Sequence, residues 1–279
     1  MAVSHKSHAA MDSSPLLRLG GASPAELAAR VVDEVHHALL LKATEPFDAS
    51  RASHADALAA LWSHAFPDEP YPDDGRSVLW TKLGFQSLHP ASDFRGAGYL
   101  GLEHLLKYVA GVGPNAYFEV GSDFPLALAS LSCTAMLCRY FSFNRTLIFP
   151  GCDKYEASAE MIRNLCVLQA QSPEYDLLQV LHVTLLRHLA WTWSHMRGEQ
   201  AMLLDFPFAQ SATYKHLHDA LTRTPRPWQL RTLIAMLERA EPFSEGSCFI
   251  SPPAVLTALW IMAARLACMS AYAPEKKRQ

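Results

Sequence analysis

Arginine, histidine, cysteine and glycine are the residue types in this chain whose spacing bears on chemistry. The segment Asp93-Phe94-Arg95-Gly96 sets a carboxylate and a guanidinium on either side of an aromatic residue, with a glycine behind them. A planar, permanently charged guanidinium suits two tasks. Turned inward, Arg95 would donate its fork to loop carbonyls or a carboxylate and hold an irregular segment together. Turned outward, it would reach as a finger into a partner's phosphate site. Gly96-Ala97-Gly98-Tyr99-Leu100-Gly101 has the G-x-G-x-x-G spacing of a dinucleotide loop. That loop requires a buried strand in front of it, and residues 88–95 supply Pro90, Asp93 and Arg95 instead. The glycines are therefore assigned to loop and packing geometry.

Other catalytic patterns are missing. The chain has no G-x-x-x-x-G-K-[ST] loop and so is not read as a GTPase or ATPase itself, and it has neither a G-x-S-x-G elbow nor an H-E-x-x-H helix. Among its 13 histidines, His182, His188 and His195 share one predicted helix, but at intervals of six and seven rather than the i, i+4 of a helical zinc pair. His216 and His218, two apart, point to different faces. Neither a metal site nor a cofactor of the chain's own is expected. Cys133, Cys138, Cys152, Cys166, Cys248 and Cys268 form no C-x-x-C pair, and several lie in apolar helical stretches, as thiols packed in a reducing compartment do.

The elements that must position these residues are helical. Ser23-Pro24-Ala25-Glu26 is a capping box with proline at the first helical position, and Leu27, Val31, Val35 and Leu39 follow at helical spacing, which predicts a helix over 24–42. A second is predicted over 53–66, ended by the Pro- and Asp-rich stretch 67–75. A short turn over 78–83 runs into Gly84, and 85–98 reads as irregular chain. Leu102, Leu105, Leu106 and Val109 then mark one stripe of a helix over 99–109. The stretch 125–141 is apolar all round, as a central helix is. Further helices are predicted over 155–170, 174–197, 212–223, 227–240 and 252–271. No β alternation appears, so the expected fold is all-α, one compact multi-helix domain over 23–273 with a flexible tail at 1–22 and a charged tail at 274–279. With 279 residues, 50% hydrophobic, a core of that size can be buried. A net charge of -3 argues against bulk attachment to nucleic acid or anionic membrane. The longest apolar run, 254–264, is broken by Arg265 and too short to span a bilayer.

The stretch "LWSHAFPDE" from Leu61, then Arg76, then "WTKLGFQSLHPASDFRGAGYLGLEHLLKYV" from Trp80 to Val109 resembles the ELMO domain signature, which runs through W-x-x-[IL]-G-F-Q, a proline, and [ST]-D-F-R-G-x-G-x-L-x-L-x-x-L. "FPLALASLSCTAML" from Phe124 to Leu137 resembles the next helix of that family. The resemblance covers about 54–201. Ser87, His89 and Ser92 stand where the family often has Gly, Asp and Thr, and Leu131-Ser132-Cys133 stands where an Ile-Asn pair is common.

This resemblance implies an all-α module in one of two styles. ELMO domain-containing proteins of one type act as GTPase-activating proteins for Arf-like and Arf small GTPases and depend on the arginine of D-F-R-G; larger engulfment-and-motility proteins have the domain without that arginine and serve as scaffolds. Because Arg95 is present, the chain resembles the activating type. The resemblance then makes Arg95 the catalytic finger, with Asp93 orienting it or capping the following helix. Gly96 and Gly98 would let backbone approach the partner's switch region, and Gln86 would help position water. Trp80, Phe85 and Phe94 would anchor the loop in the core. The partner would be a GTP-bound Arf-like or Arf GTPase carrying the GTP and Mg2+, met in the cytoplasm or at a membrane or cytoskeletal surface. The competing expectation is a non-catalytic scaffold or adaptor for a small GTPase or exchange factor, in which Arg95 is buried and fully paired.

Overall fold

A computed structural model describes residues 23–113, 124–149, 151–197 and 205–239. The expected tails, the helix over 252–271, Cys248 and Cys268 lie outside these residues. Ser23 begins the first helix as the sequence predicts. Its hydroxyl accepts from Glu26 N–H, and its own N–H donates to Glu26 Oε2 at 2.7 Å, closing a capping box ahead of α1, Pro24–Thr44. Helix α2 spans Ala52–Ala65 and buries His54, Leu58, Leu61, Trp62 and Ala65 on one face. Helix α3, Val78–Leu83, is capped by the Ser77 hydroxyl and stops at Gly84, whose φ of 100° is left-handed backbone.

The irregular chain expected over 85–98 contains a six-residue 3-10 helix, Pro90–Arg95. Six residues are too few to show an apolar repeat, and proline at the first helical position was its one visible start signal. Next come α4 (Gly98–Val112), α5 (Leu126–Tyr140), α6 (Ala159–Gln171), α7 (Leu177–Arg197), α8 (Phe206–Arg223) and α9 (Leu230–Glu238). Helix α8 starts six residues before its predicted beginning. Pro207 falls in its first turn, where a missing N–H costs nothing, so a helix can begin ahead of it.

Packing runs α2 on α4, α4 on α5, α5 on α7, α7 on α8 and α8 on α9, while α1 lies against α6 and α4. Helix α5 is central: Leu126, Ala127, Ala129, Leu131, Met136, Leu137 and Tyr140 are buried around its circumference, as its all-round apolar pattern predicts. No strand occurs among the described residues, and the fold is all-α around one hydrophobic core. The predicted α1 stripe is only half used. Leu39 and Ala43 are buried, but Leu27 and Val31 are 42% and 46% exposed, so the first turns of α1 rest on their cap rather than on burial. Asp176, ahead of α7, ties three helices together. It accepts from Lys42 Nζ of α1 at 2.6 Å and Lys107 Nζ of α4 at 3.0 Å. Burial pushes its pKa up, but the two ammonium groups more than offset this and hold the carboxyl below the usual range.

Candidate functional site

The loop that carries Arg95 is built on a backbone frame. Gly84 turns the chain out of α3, Phe85 N–H donates to Trp80 O, and Gly84 O accepts from Leu128 N–H of α5 at 3.2 Å. Ser77 N–H donates to Leu88 O at 3.0 Å, and Ser87 Oγ donates to His89 O at 2.7 Å. These bonds deliver the chain to Pro90, where the 3-10 helix begins.

Aromatic side chains hold that helix down. Phe94 is fully buried, its ring centroid 4.8 Å from Phe47 and 5.6 Å from Phe85. Phe85 in turn meets Trp80 edge-on at 5.5 Å, and the buried Trp80 donates its indole N–H to Gly75 O at 3.2 Å. Burying so many rings under one short helix fixes it far more firmly than its three-residue hydrogen-bond ladder could.

With Phe94 directed inward, its neighbours face outward and sideways. Asp93 does not orient Arg95 and does not cap α4, whose N-cap, Ala97, receives no side-chain bond. Its Oδ2 instead accepts from Gln86 N–H at 2.8 Å and its Oδ1 from Ser92 Oγ at 3.2 Å, so Asp93 staples the 3-10 helix to the segment after α3. Gln86 is thereby brought beside the Arg95 turn, with its side chain exposed. Arg95 is exposed as well. Its Nε donates to Ser92 O at 2.8 Å, and its two terminal nitrogens have no partner among the described residues. The arginine is thus anchored at the neck of the guanidinium and open at the fork.

The two glycines after it differ. Gly96 has φ -85° and is exposed; a β-carbon there would make only ordinary contact, 3.7 Å from Leu147 Cδ2. Gly98 has φ +62°, and a β-carbon there would fall 2.3 Å from Glu45 O. The same carbonyl accepts from Tyr99 N–H at 2.9 Å, so the start of α4 is seated on the chain between α1 and α2.

His54 is a residue of this site that the sequence reading passed over. It is fully buried, stacked on Tyr99 with centroids 3.9 Å apart and on Phe47 at 5.7 Å. Its Nδ1 accepts from Asp48 N–H at 3.0 Å, which leaves Nε2–H to donate to Glu45 Oε1 at 3.2 Å. The histidine therefore shapes the 45–48 segment on which Gly98 and Phe94 rest. The signal was available: His54 stands at i, i+4, i+7 with Leu58 and Leu61 on the inner face of α2. At the departure from the family helix, Leu131 would meet a β-carbon at Gly101, and Ser132 Oγ accepts from Gln210 Nε2 of α8 at 2.9 Å, so Ser132 faces α8 rather than the Arg95 loop.

Other chemistry finds little here. Among the described residues no group of three or more His, Cys, Asp or Glu could hold a metal ion, and no helix is long and apolar enough to cross a membrane. Cys133, Cys138, Cys152 and Cys166 are free and buried. Burial pushes the Cys138 thiol up to about 12 and the Cys166 thiol to about 11, far from the ionisation a nucleophile needs.

Residues 37–209, which include the whole of this site, match the ELMO/CED-12 family. The chain belongs to that family. Among ELMO relatives, ELMO domain-containing protein C of Dictyostelium discoideum is 24% identical over 205 residues, covering 72% of this chain and 32% of that protein. ELMO domain-containing protein 1 of Pongo abelii is 38% identical over 79 residues, 28% of this chain and 24% of the relative. Ankyrin repeat and ELMO domain-containing protein D of Dictyostelium discoideum is 37% identical over 68 residues, which is 24% of this chain and 5% of that protein. The chain spans about a third or less of the length of these ELMO relatives. No solved structure matches it.

Proposed function

We propose that this chain is a GTPase-activating protein for Arf-like or Arf small GTPases and supplies Arg95 in trans as an arginine finger. The observation that carries the reading is the posture of Arg95: Nε is tied to Ser92 O while both terminal nitrogens, on an exposed side chain, have no partner among the described residues. GTP hydrolysis passes through a transition state with charge spread over the γ-phosphoryl oxygens. A guanidinium already fixed at its neck can place two N–H donors on that charge with little further loss of side-chain freedom. GTP and Mg2+ belong to the partner, as does the glutamine that ordinarily orients the attacking water. This activity would place the protein in the cytoplasm, at whichever surface its GTPase occupies.

The test is single-turnover GTP hydrolysis by a panel of Arf and Arf-like GTPases with the wild-type chain, Arg95→Lys and Arg95→Ala. Stimulation of one or more members by roughly 10³ to 10⁵ is expected, lost in both variants, because lysine retains charge but not the planar fork. Arg95 is exposed, so both variants should melt as the wild type does. Binding of GTP-loaded GTPase with no stimulation would instead identify a scaffold.

A further inference from the structure

Exposed apolar side chains are ordinary when scattered and informative when they gather beside a charged group. Two such groups flank Arg95. At the head of the 3-10 helix, the Ser77 N–H to Leu88 O bond brings together Val78 and Leu88, 61% and 42% exposed. At its foot, Leu147 lies against Gly96, and Ile148, next in the chain, is 55% exposed. The 3-10 helix Pro90–Arg95 links the two groups, with Arg95 as its last residue, directly before the Gly96 that meets Leu147. Exposed apolar area beside an arginine with an open fork matches the core of an interface, which is apolar and poor in charge yet enriched in arginine.

Charge complementarity specifies the occupant. The arginine calls for an anion, the aliphatic groups call for apolar surface beside it, and their attachment to the two ends of one short helix calls for both on one partner. A GTP-loaded small GTPase offers that combination, with phosphates at the mouth of a site bordered by its switch segments. We infer that Val78, Leu88 and Ile148 form the docking surface that seats those segments around Arg95 and selects the GTPase that is accepted. This inference rests on the activating role of Arg95, but assigns recognition to different side chains.

The experiment measures KM and kcat separately for a stimulated GTPase, using the full chain with Val78→Glu, Leu88→Glu or Ile148→Glu. Leu27→Glu, at an equally exposed leucine on α1, is the control. Each docking variant should raise KM about tenfold with kcat within a factor of about two, since a buried carboxylate at an interface centre costs binding and not chemistry. The control should change neither, and Arg95→Lys should lower kcat. Unchanged KM in all three docking variants, with kcat still lost in Arg95→Lys, would overturn the docking surface and leave the finger standing. Full stimulation by Arg95→Lys would overturn the finger, and the docking surface would then stand or fall on whether Ile148→Glu weakens binding of the GTP-loaded protein. A chain that neither stimulates nor binds any member of the panel overturns both.

Discussion

Arg95 owes its posture to two neighbours that never touch its fork: Ser92, whose carbonyl holds Nε, and Phe94, buried beneath it. At this scale the glycines make a sharp contrast. Gly98→Ala puts a β-carbon against Glu45 O in left-handed backbone and should cost about 2 kcal/mol or more, read as a lower Tm. Gly96→Ala meets only ordinary contact with Leu147 at a helical φ and should leave Tm unchanged or slightly raised. If Gly96→Ala nevertheless weakens GTPase stimulation at full stability, the glycine serves a partner's approach; equal activity would dismiss that role. The motif made Arg95, Phe94 and the glycines visible in the sequence. The destination of the Asp93 carboxylate was not visible, because its partner is a main-chain N–H that only the turn after α3 brings within reach.

Helix α7 shows what an element's periodicity does and does not reveal. The spacing of His182, His188 and His195 is not that of a helical metal pair, and it gives no hint that each faces an aromatic ring. His182 packs on His104 at 4.7 Å, His188 stacks on His216 at 3.8 Å, and His195 lies 4.2 Å from Trp191. Those partners, apart from Trp191, come from other helices. Thr134 donates its hydroxyl to Ser130 O and so accepts from His104 Nδ1–H, while His182 Nε2–H donates to Ser130 O; His104 Nε2 and His182 Nδ1 are buried without partners. Protonating either ring would add an N–H with no acceptor. Burial accordingly lowers His182 to about 4 and His188 to about 3, and His104 falls well below its usual value. The unfolded chain, with histidines near 6.5, takes up protons before the native state does, so stability is fully present above about pH 6.5 and is lost as pH falls toward 4. Thermal melting across pH 7 to 4 should show that decline, and His182→Gln, which can still donate to Ser130 O, should flatten it. A slope unchanged in the variant would assign the decline to other groups.

Across the whole molecule, one core joins α1 through α9, and its outline could be read from composition and helical periodicity: all-α, with the 125–141 segment central. The order of packing could not be read, because it depends on which apolar stripes meet, and stripes of leucine and alanine resemble one another. Met136 sits at the centre of α5 with no exposed surface. Met136→Ala should destabilise the fold by roughly 2 to 5 kcal/mol. Since α5 contacts both α4 and α7, far-UV circular dichroism and tryptophan fluorescence should report the same lowered midpoint. Divergent midpoints would mean that α7 to α9 unfold apart from the site.

The carbonyl of Glu45 is the seat beneath α4, and a peptide oxygen is present whatever side chain position 45 carries. An alanine scan would register only Glu45's bonds to Arg51 and His54 and would pass over the contact that locates the finger. Backbone chemistry is needed to expose it: replacing the Tyr99 amide by an ester, which removes that one hydrogen, would loosen the start of α4 while every side chain of the loop stayed in place.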